Sequence, residues 1–288
     1  MFRSVPLPAL LHAGATLSPT SFTVHASTVM GIAGLASLYW WRARAGRRQG
    51  LPSIGRGQRT TFAIALLALF FSLNGWLHDL SDYYLFGAHM VQHLLLTLVV
   101  APLLIMGTPG WMLRPALASR PVAAVARWLT NPLRAFAIFN VVLCGWHLPP
   151  LYNLALAHHP VHIAQHLMFL IAAVLMWWPI LSPLPELPRL PYPLQMLYLF
   201  LMSIPMSIVA VYIAYADSVL YPAYSSAPRV WGISPMQDQQ IGGLIMWIPG
   251  GLFFFAIISV IFFRWQQRDG DETVAGAQVA VGQLPASR

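Results

Sequence analysis

The chain has 288 residues, of which 58% are hydrophobic and only 8% charged. A soluble domain averages about 25% charged residues, so this composition excludes an ordinary soluble fold and places the chain in the membrane class. Its net charge of +8 comes from 16 arginines, with no lysine, against 8 acidic residues; the arginines are scattered through short loops between apolar runs, which argues against nucleic acid as a partner and fits the inner loops of a membrane protein.

In chain order, the N-terminus opens Met1-Phe2-Arg3 and continues through Leu7-Pro8-Ala9-Leu10-Leu11, a weak likeness to a signal peptide. Pro6 and Pro8 interrupt its short apolar core, so positions 1–20 are expected to stay as an external segment rather than be cleaved. A helix that crosses a bilayer needs about 20 apolar residues. Seven such stretches are expected, at 22–41, 60–77, 85–106, 132–147, 162–181, 193–215 and 240–263, making an all-α polytopic helix bundle over 21–265. Pro102, Pro179, Pro205 and Pro249 fall within or near these spans, which membrane helices tolerate when neighbours satisfy the freed carbonyls. The tail, 266–288, is rich in Ala, Gly and Gln without periodicity and reads as a disordered cytoplasmic segment.

Orientation follows from the arginines. Fourteen lie on one side of the seven expected spans, and only Arg3 and Arg229 on the other. The positive-inside rule then puts the N-terminus outside and the C-terminus inside. On that topology all ten histidines, His12 and His25 included, fall on the outer side or in the outer half.

The histidines are also patterned. His89-Met90-Val91-Gln92-His93-Leu94 and His162-Ile163-Ala164-Gln165-His166-Leu167 share the form His-x-x-Gln-His-Leu, and each opens a long apolar run. Each follows a Gly-Trp pair with a histidine just beyond: Gly75-Trp76-Leu77-His78 and Gly145-Trp146-His147. Spans 2–3 and 4–5 therefore read as an internal duplication that keeps orientation and delivers both pairs to one face. Histidines four apart share one face of a helix.

The functional reading is a metal site built from His89, His93, His162 and His166, with His78 and His147 as further ligands, since imidazole suits copper, zinc, iron and nickel. The competing reading is that these side chains cap helix ends or sit at headgroup level. Gln92 and Gln165 could orient imidazoles from a second layer or could hydrogen-bond between helices. Asp79 and Asp82 could be ligands, though solvated outer-loop charges are the blander and favoured reading; His158 and His159 are expected to be exposed. Asp238 either caps the last helix or faces the histidines from a third helix. Met90, Met168, Met202, Met206, Met236 and Met246 could supply thioethers for copper or simply fill the core. Cys144, the lone cysteine, excludes an intrachain disulfide framework and a Cys-x-x-Cys site. Nothing in the chain suggests nucleophilic catalysis or a zinc-protease motif.

One ordered set of motifs goes further. Ala88 to Leu96, Pro102 with Gly107-Thr108-Pro109, Trp146-His147-Leu148-Pro149 with Leu151-Tyr152-Asn153, His162 to His166, and Asp238-Gln239-Gln240-Ile241-Gly242-Gly243 through Trp247-Ile248-Pro249-Gly250 together resemble the CtaG family over roughly residues 20–265. These are multi-span assembly factors of caa-type cytochrome c oxidase in the bacterial inner membrane. The resemblance implies a role in maturing a haem–copper oxidase at the copper step, with the oxidase subunits and other copper chaperones as partners and the histidines facing the periplasm. Two alternatives stand beside it: a b-type haem electron carrier or haem-modifying enzyme, and a copper or zinc transporter. The first asks for one axial histidine from each of two facing helices. The second asks for polar groups through the midplane, which the inner halves of these spans scarcely supply.

Overall fold

The computed structural model describes residues 22–282, with side chains through Asp269; the expected external segment 1–20, His12 within it, and positions 283–288 lie outside the described residues. Among the described residues every regular element is a helix. The order is α1 (Ala26–Arg48), α2 (Arg56–Leu73), α3 (Gly75–Tyr83), α4 (Phe86–Leu94), a π-helical stretch (Leu95–Val100), α5 (Ala101–Gly107), α6 (Gly110–Leu117) and α7 (Arg120–Leu129). There follow α8 (Pro132–His147), α9 (Pro149–Ala157), α10 (His159–Leu181), α11 (Tyr192–Ala214), α12 (Pro222–Ser225) and α13 (Pro235–Gly282). The last helix thus runs to Gly282, into the tail expected to be irregular.

Among the described residues five stretches are long and apolar enough to cross a membrane: Arg56–Tyr83, Phe86–Gly107, His159–Leu181, Tyr192–Ala214 and Pro235–Asp269. A sixth arises if α8 and α9, bent by 73° at their junction, form one broken span. The first expected span, 22–41, is helical as α1 but is not among them. Its Ser27, Thr28, Gly31, Gly34 and Ser37 dilute the apolar run before Arg42 and Arg44 close it.

The second expected span, 60–77, is also corrected. It extends over 28 residues to Tyr83, because Gly75 takes a positive φ of 68° and lets α3 continue from α2 with only Asn74 between them. An L side chain resists that backbone conformation, so the glycine is what the junction needs. In the other motif copy Gly145 lies inside α8, and the chain turns three residues later at extended Leu148, where Pro149 and Pro150 start α9.

Packing brings the histidine-bearing helices together. α13 lies along α11, and a Cβ on Gly243 would stand 2.8 Å from both the Ala210 carbonyl and the Ala214 Cβ, so only glycine allows this approach. α13 also crosses α4, α10 packs on α8 and α5, and α3 folds back on α4. The main apolar core, Phe86, Met90, Phe139, Phe169, Met176, Trp177 and Met202 among others, fills the space between them. Polar groups in such an interior must find partners, and those that do not are informative.

Candidate metal centre

The two His-x-x-Gln-His segments start α4 and α10, so each pair projects from the first turns of an apolar helix. All four of these histidines are buried, as are His78 near the end of the second span and His147 at the end of α8. The six imidazoles form one cluster. Ring centroids lie 5.3 Å apart for His89 and His162, 5.5 Å for His89 and His166, 5.4 Å for His93 and His166, and 5.9 Å for His93 and His147.

Two sets within the cluster have ligand atoms close enough to share an ion. One is His89, His93 and His166; the other is Asp82, His89 and His162; in each, one ligand atom per residue lies within 4.8 Å of the others. His89 belongs to both.

Hydrogen bonds fix much of the proton placement. His147 Nδ1 lies 2.7 Å from the Leu143 carbonyl, which can only accept, so Nδ1 carries the hydrogen. Its Nε2 lone pair is buried without a partner, which is how second-layer carbonyls prepare an imidazole for a metal. Gln92 donates Nε2–H to the Ser72 carbonyl at 2.7 Å and to His78 Nδ1 at 3.0 Å, and its carbonyl accepts from Ser81 Oγ at 3.0 Å. His78 therefore holds its hydrogen on Nε2, which faces Asp82 Oδ2 at 3.4 Å. His78, expected as a ligand, enters neither of the two sets, although its Nε2 stands beside Asp82.

Tyr224 completes the other side. Its hydroxyl donates to the Ser81 carbonyl at 2.8 Å and stands 3.2 Å from the Tyr152 hydroxyl and 3.4 Å from His89 Nδ1. Tyr224 and Tyr221 lie outside the spans, and burial raises both phenol pKa values above the usual 10, so both stay protonated donors. Tyr221 donates to the His147 carbonyl at 2.8 Å.

The remaining expected residues fall elsewhere. Asp79 is buried rather than solvated, and its carboxylate accepts from the Thr23 hydroxyl instead of joining either set. Asp82 is likewise buried, only 6% exposed, against the expectation of a loop charge: α3 carries both acids down into the bundle. Asp238 does not cap its own helix. Ser234 and Gln237 form that capping pair, at 2.9 and 3.2 Å. The Asp238 carboxylate instead accepts from the backbone N–H groups of Phe86 at 2.7 Å and Gly87 at 2.9 Å, capping α4 from across the bundle. Met90 is fully buried against Gly242 of α13; half-buried Cys144 enters neither set. Gln165 does not repeat the role of Gln92: it is fully buried and neither amide atom has a partner. His158 is exposed, whereas His159 is half-buried with its ring tilted 6.0 Å from that of His25.

Sequence reasoning gave too little weight to Asp82 and missed Ser72, Ser81, Tyr152 and Tyr224. Asp82 had a signal, the four-residue spacing from His78, which puts both on one helix face once α3 is recognised. The tyrosine had none, since Tyr224 comes from α12, 135 residues from His89. The π-helical stretch beginning two residues after His93 was equally silent, and such bulges favour functional sites. There Thr97 donates to the His93 carbonyl at 2.7 Å, and Trp177 donates to the Thr97 carbonyl at 2.8 Å. Beside the cluster runs a cavity of about 560 Å³, lined by His78, His162 and His166 and by apolar side chains that include Leu35, Leu69 and Leu170.

Residues 37–268 match the model of a family described as the cytochrome c oxidase caa3 assembly factor, Caa3_CtaG. Curated relatives include uncharacterised proteins of Mycobacterium bovis and Mycobacterium tuberculosis, each 26% identical over 201 residues, and one of Mycobacterium leprae, 24% identical over 201 residues. Each match covers 64% of this chain and 30% of the relative, so the chain spans about a third of the length of the curated relatives it matches. No solved structure matches the chain.

Proposed function

Because the chain belongs to the family of cytochrome c oxidase caa3 assembly factors, we propose that it serves oxidase maturation by holding copper in the buried histidine cluster and passing it to an oxidase subunit. The observation that carries this reading is the convergence of both His-x-x-Gln-His pairs on His89, with the nitrogens His93 Nδ1, His147 Nε2, His162 Nε2 and His166 Nε2 buried and unpartnered. Unpaired buried polar atoms are destabilising by about 1–3 kcal/mol each unless something binds them, and an imidazole-rich set suits copper. The arginine asymmetry supports a bacterial inner-membrane location with the cluster on the periplasmic side, where copper would arrive from other chaperones. No turnover is required.

The test uses two double variants, His89→Ala with His93→Ala and His162→Ala with His166→Ala. Each should insert at normal level and lose most bound copper, and oxidase activity in the membranes should fall, recovering in part with added copper. Full activity in both at normal protein level would refute the reading. The cavity edged by His78, His162 and His166 favours haem as the second reading, and a Soret band in the purified protein would replace copper with haem.

A further inference from the structure

Resting on the copper reading, we propose that the cluster is a two-position site for one cation, which moves between a carboxylate position (Asp82, His89, His162) and an all-imidazole position (His89, His93, His166) by pivoting on His89. The argument begins with proton placement. The Tyr224 hydroxyl gives its hydrogen to the Ser81 carbonyl, so its oxygen accepts from His89 Nδ1–H. That leaves His89 with a single lone pair, on Nε2, because a neutral imidazole offers only one. Both ligand sets include His89, so with a neutral His89 they cannot both be filled.

The spacings differ as two positions of unlike character should. Two donors each about 2.0–2.1 Å from a tetrahedral ion lie roughly 3.4 Å apart. His162 Nδ1 and Asp82 Oδ2 are 3.5 Å apart, beyond a good hydrogen bond and at the separation of two ligands of one ion. His89 Nε2 and His93 Nε2 are 2.8 Å apart, a true hydrogen bond. Since His89 Nε2 accepts, His93 donates, and seating the ion between them moves that hydrogen to His93 Nδ1, a buried nitrogen with no other partner. Filling either position takes the His89 lone pair and so breaks this hydrogen bond; the carboxylate position already holds Asp82 and His162 at ligand spacing, while the all-imidazole position also needs the His93 hydrogen moved. His147 Nε2, beside His93, waits at the far end of the cluster.

Ligand chemistry separates the two. Carboxylate favours harder divalent ions, and a neutral imidazole set favours softer ones. Co(II), read by its absorption, and Cu(I), read by competition with a coloured chelator, are the probes, applied to the purified full chain in detergent. The wild type should bind one equivalent of either, and Cu(I) should displace Co(II). Asp82→Asn should weaken Co(II) at least about tenfold, in line with the effect of disturbing metal-site partners, and change Cu(I) less than about threefold. His166→Gln should do the reverse, and His89→Gln should weaken both. Unchanged melting and elution profiles exclude misfolding, and His93→Gln serves as a second probe of the all-imidazole position if His166→Gln fails that check. Two equivalents bound together, or parallel loss of both ions in Asp82→Asn and His166→Gln, overturns the two-position site and leaves the copper reading standing. A wild type that binds neither ion overturns both.

Discussion

Asp238 offers the most direct test of how the bundle builds the site. Its carboxylate, 2% exposed, accepts from Phe86 N at 2.7 Å and Gly87 N at 2.9 Å, the first two N–H groups of the helix that carries His89 and His93. A hydrogen bond to a charged group contributes about 1.5–3 kcal/mol, and a lost N-cap alone is destabilising by about 0.5–2 kcal/mol. Asp238→Ala leaves both N–H groups buried and unpaired, so a loss of about 2–4 kcal/mol is expected. Asp238→Asn keeps one acceptor oxygen but turns an amide donor toward the second N–H, so its loss should be smaller, about 1–2 kcal/mol. Thermal unfolding of the purified variants, followed by tryptophan fluorescence in one detergent, measures the order: wild type, Asp238→Asn, Asp238→Ala. His89 lies three residues beyond Phe86, so fraying of α4 should also weaken metal binding, in the same order. An Asp238→Ala protein that melts with the wild type would refute the cross-helix cap.

The other perturbations divide support from ligation. Gln92→Leu removes the group that fixes His78 and should reduce metal affinity about 10–100-fold while sparing insertion; unchanged affinity would show that His78 needs no such orientation. Gly243→Leu forces a side chain where even a Cβ would stand 2.8 Å from the Ala210 carbonyl, and it should lower the yield of folded protein severely, whereas Gly251, with nothing within 4 Å, should accept alanine without loss. Reporter fusions near residues 50 and 155 should report opposite sides of the membrane; agreement between them would end the assignment of the histidines to the periplasmic face.

How much of this was legible in the sequence depends on the range of the interaction. The long helices were plain because length and apolarity are local: 162–181 and 193–215 lie within α10 and α11 to within a few residues. The second span ends early in the sequence reading because His78, Asp79 and Asp82 within five residues resemble a loop. They are helical because each finds a partner inside the bundle, Thr23 for Asp79 and two histidines for Asp82. α9 falls between the expected spans 132–147 and 162–181 for a related reason. Two prolines after an extended leucine look like a break, and they are one, but proline is also suited to the first turn of the helix that follows.

The site was legible in its repeated part and hidden in its unrepeated part. Two His-x-x-Gln-His segments announce four imidazoles because their spacing matches the helical period. Identical letters nonetheless hold different positions. Gln92 is fully hydrogen-bonded to Ser72, His78 and Ser81, while Gln165, its counterpart, has no partner at either amide atom. The asymmetry comes from what surrounds each copy. α3 folds its serine and acids back over α4, whereas the corresponding chain after α8 bends by 73° into α9, which packs on α10 and brings Tyr152 but no carboxylate. The carboxylate therefore enters the cluster from one copy only, which makes the two ends of the cluster chemically unlike. An asymmetric cluster can give an ion a direction, and a symmetric one cannot. On this reasoning, moving the carboxylate should matter more than removing it: Asp82→Ala combined with Gln165→Glu restores the charge on the opposite helix. It should bind Co(II) better than Asp82→Ala alone, yet fail to restore oxidase activity in membranes. Recovery of activity would mean that the position of the charge carries no information and that only its presence counts.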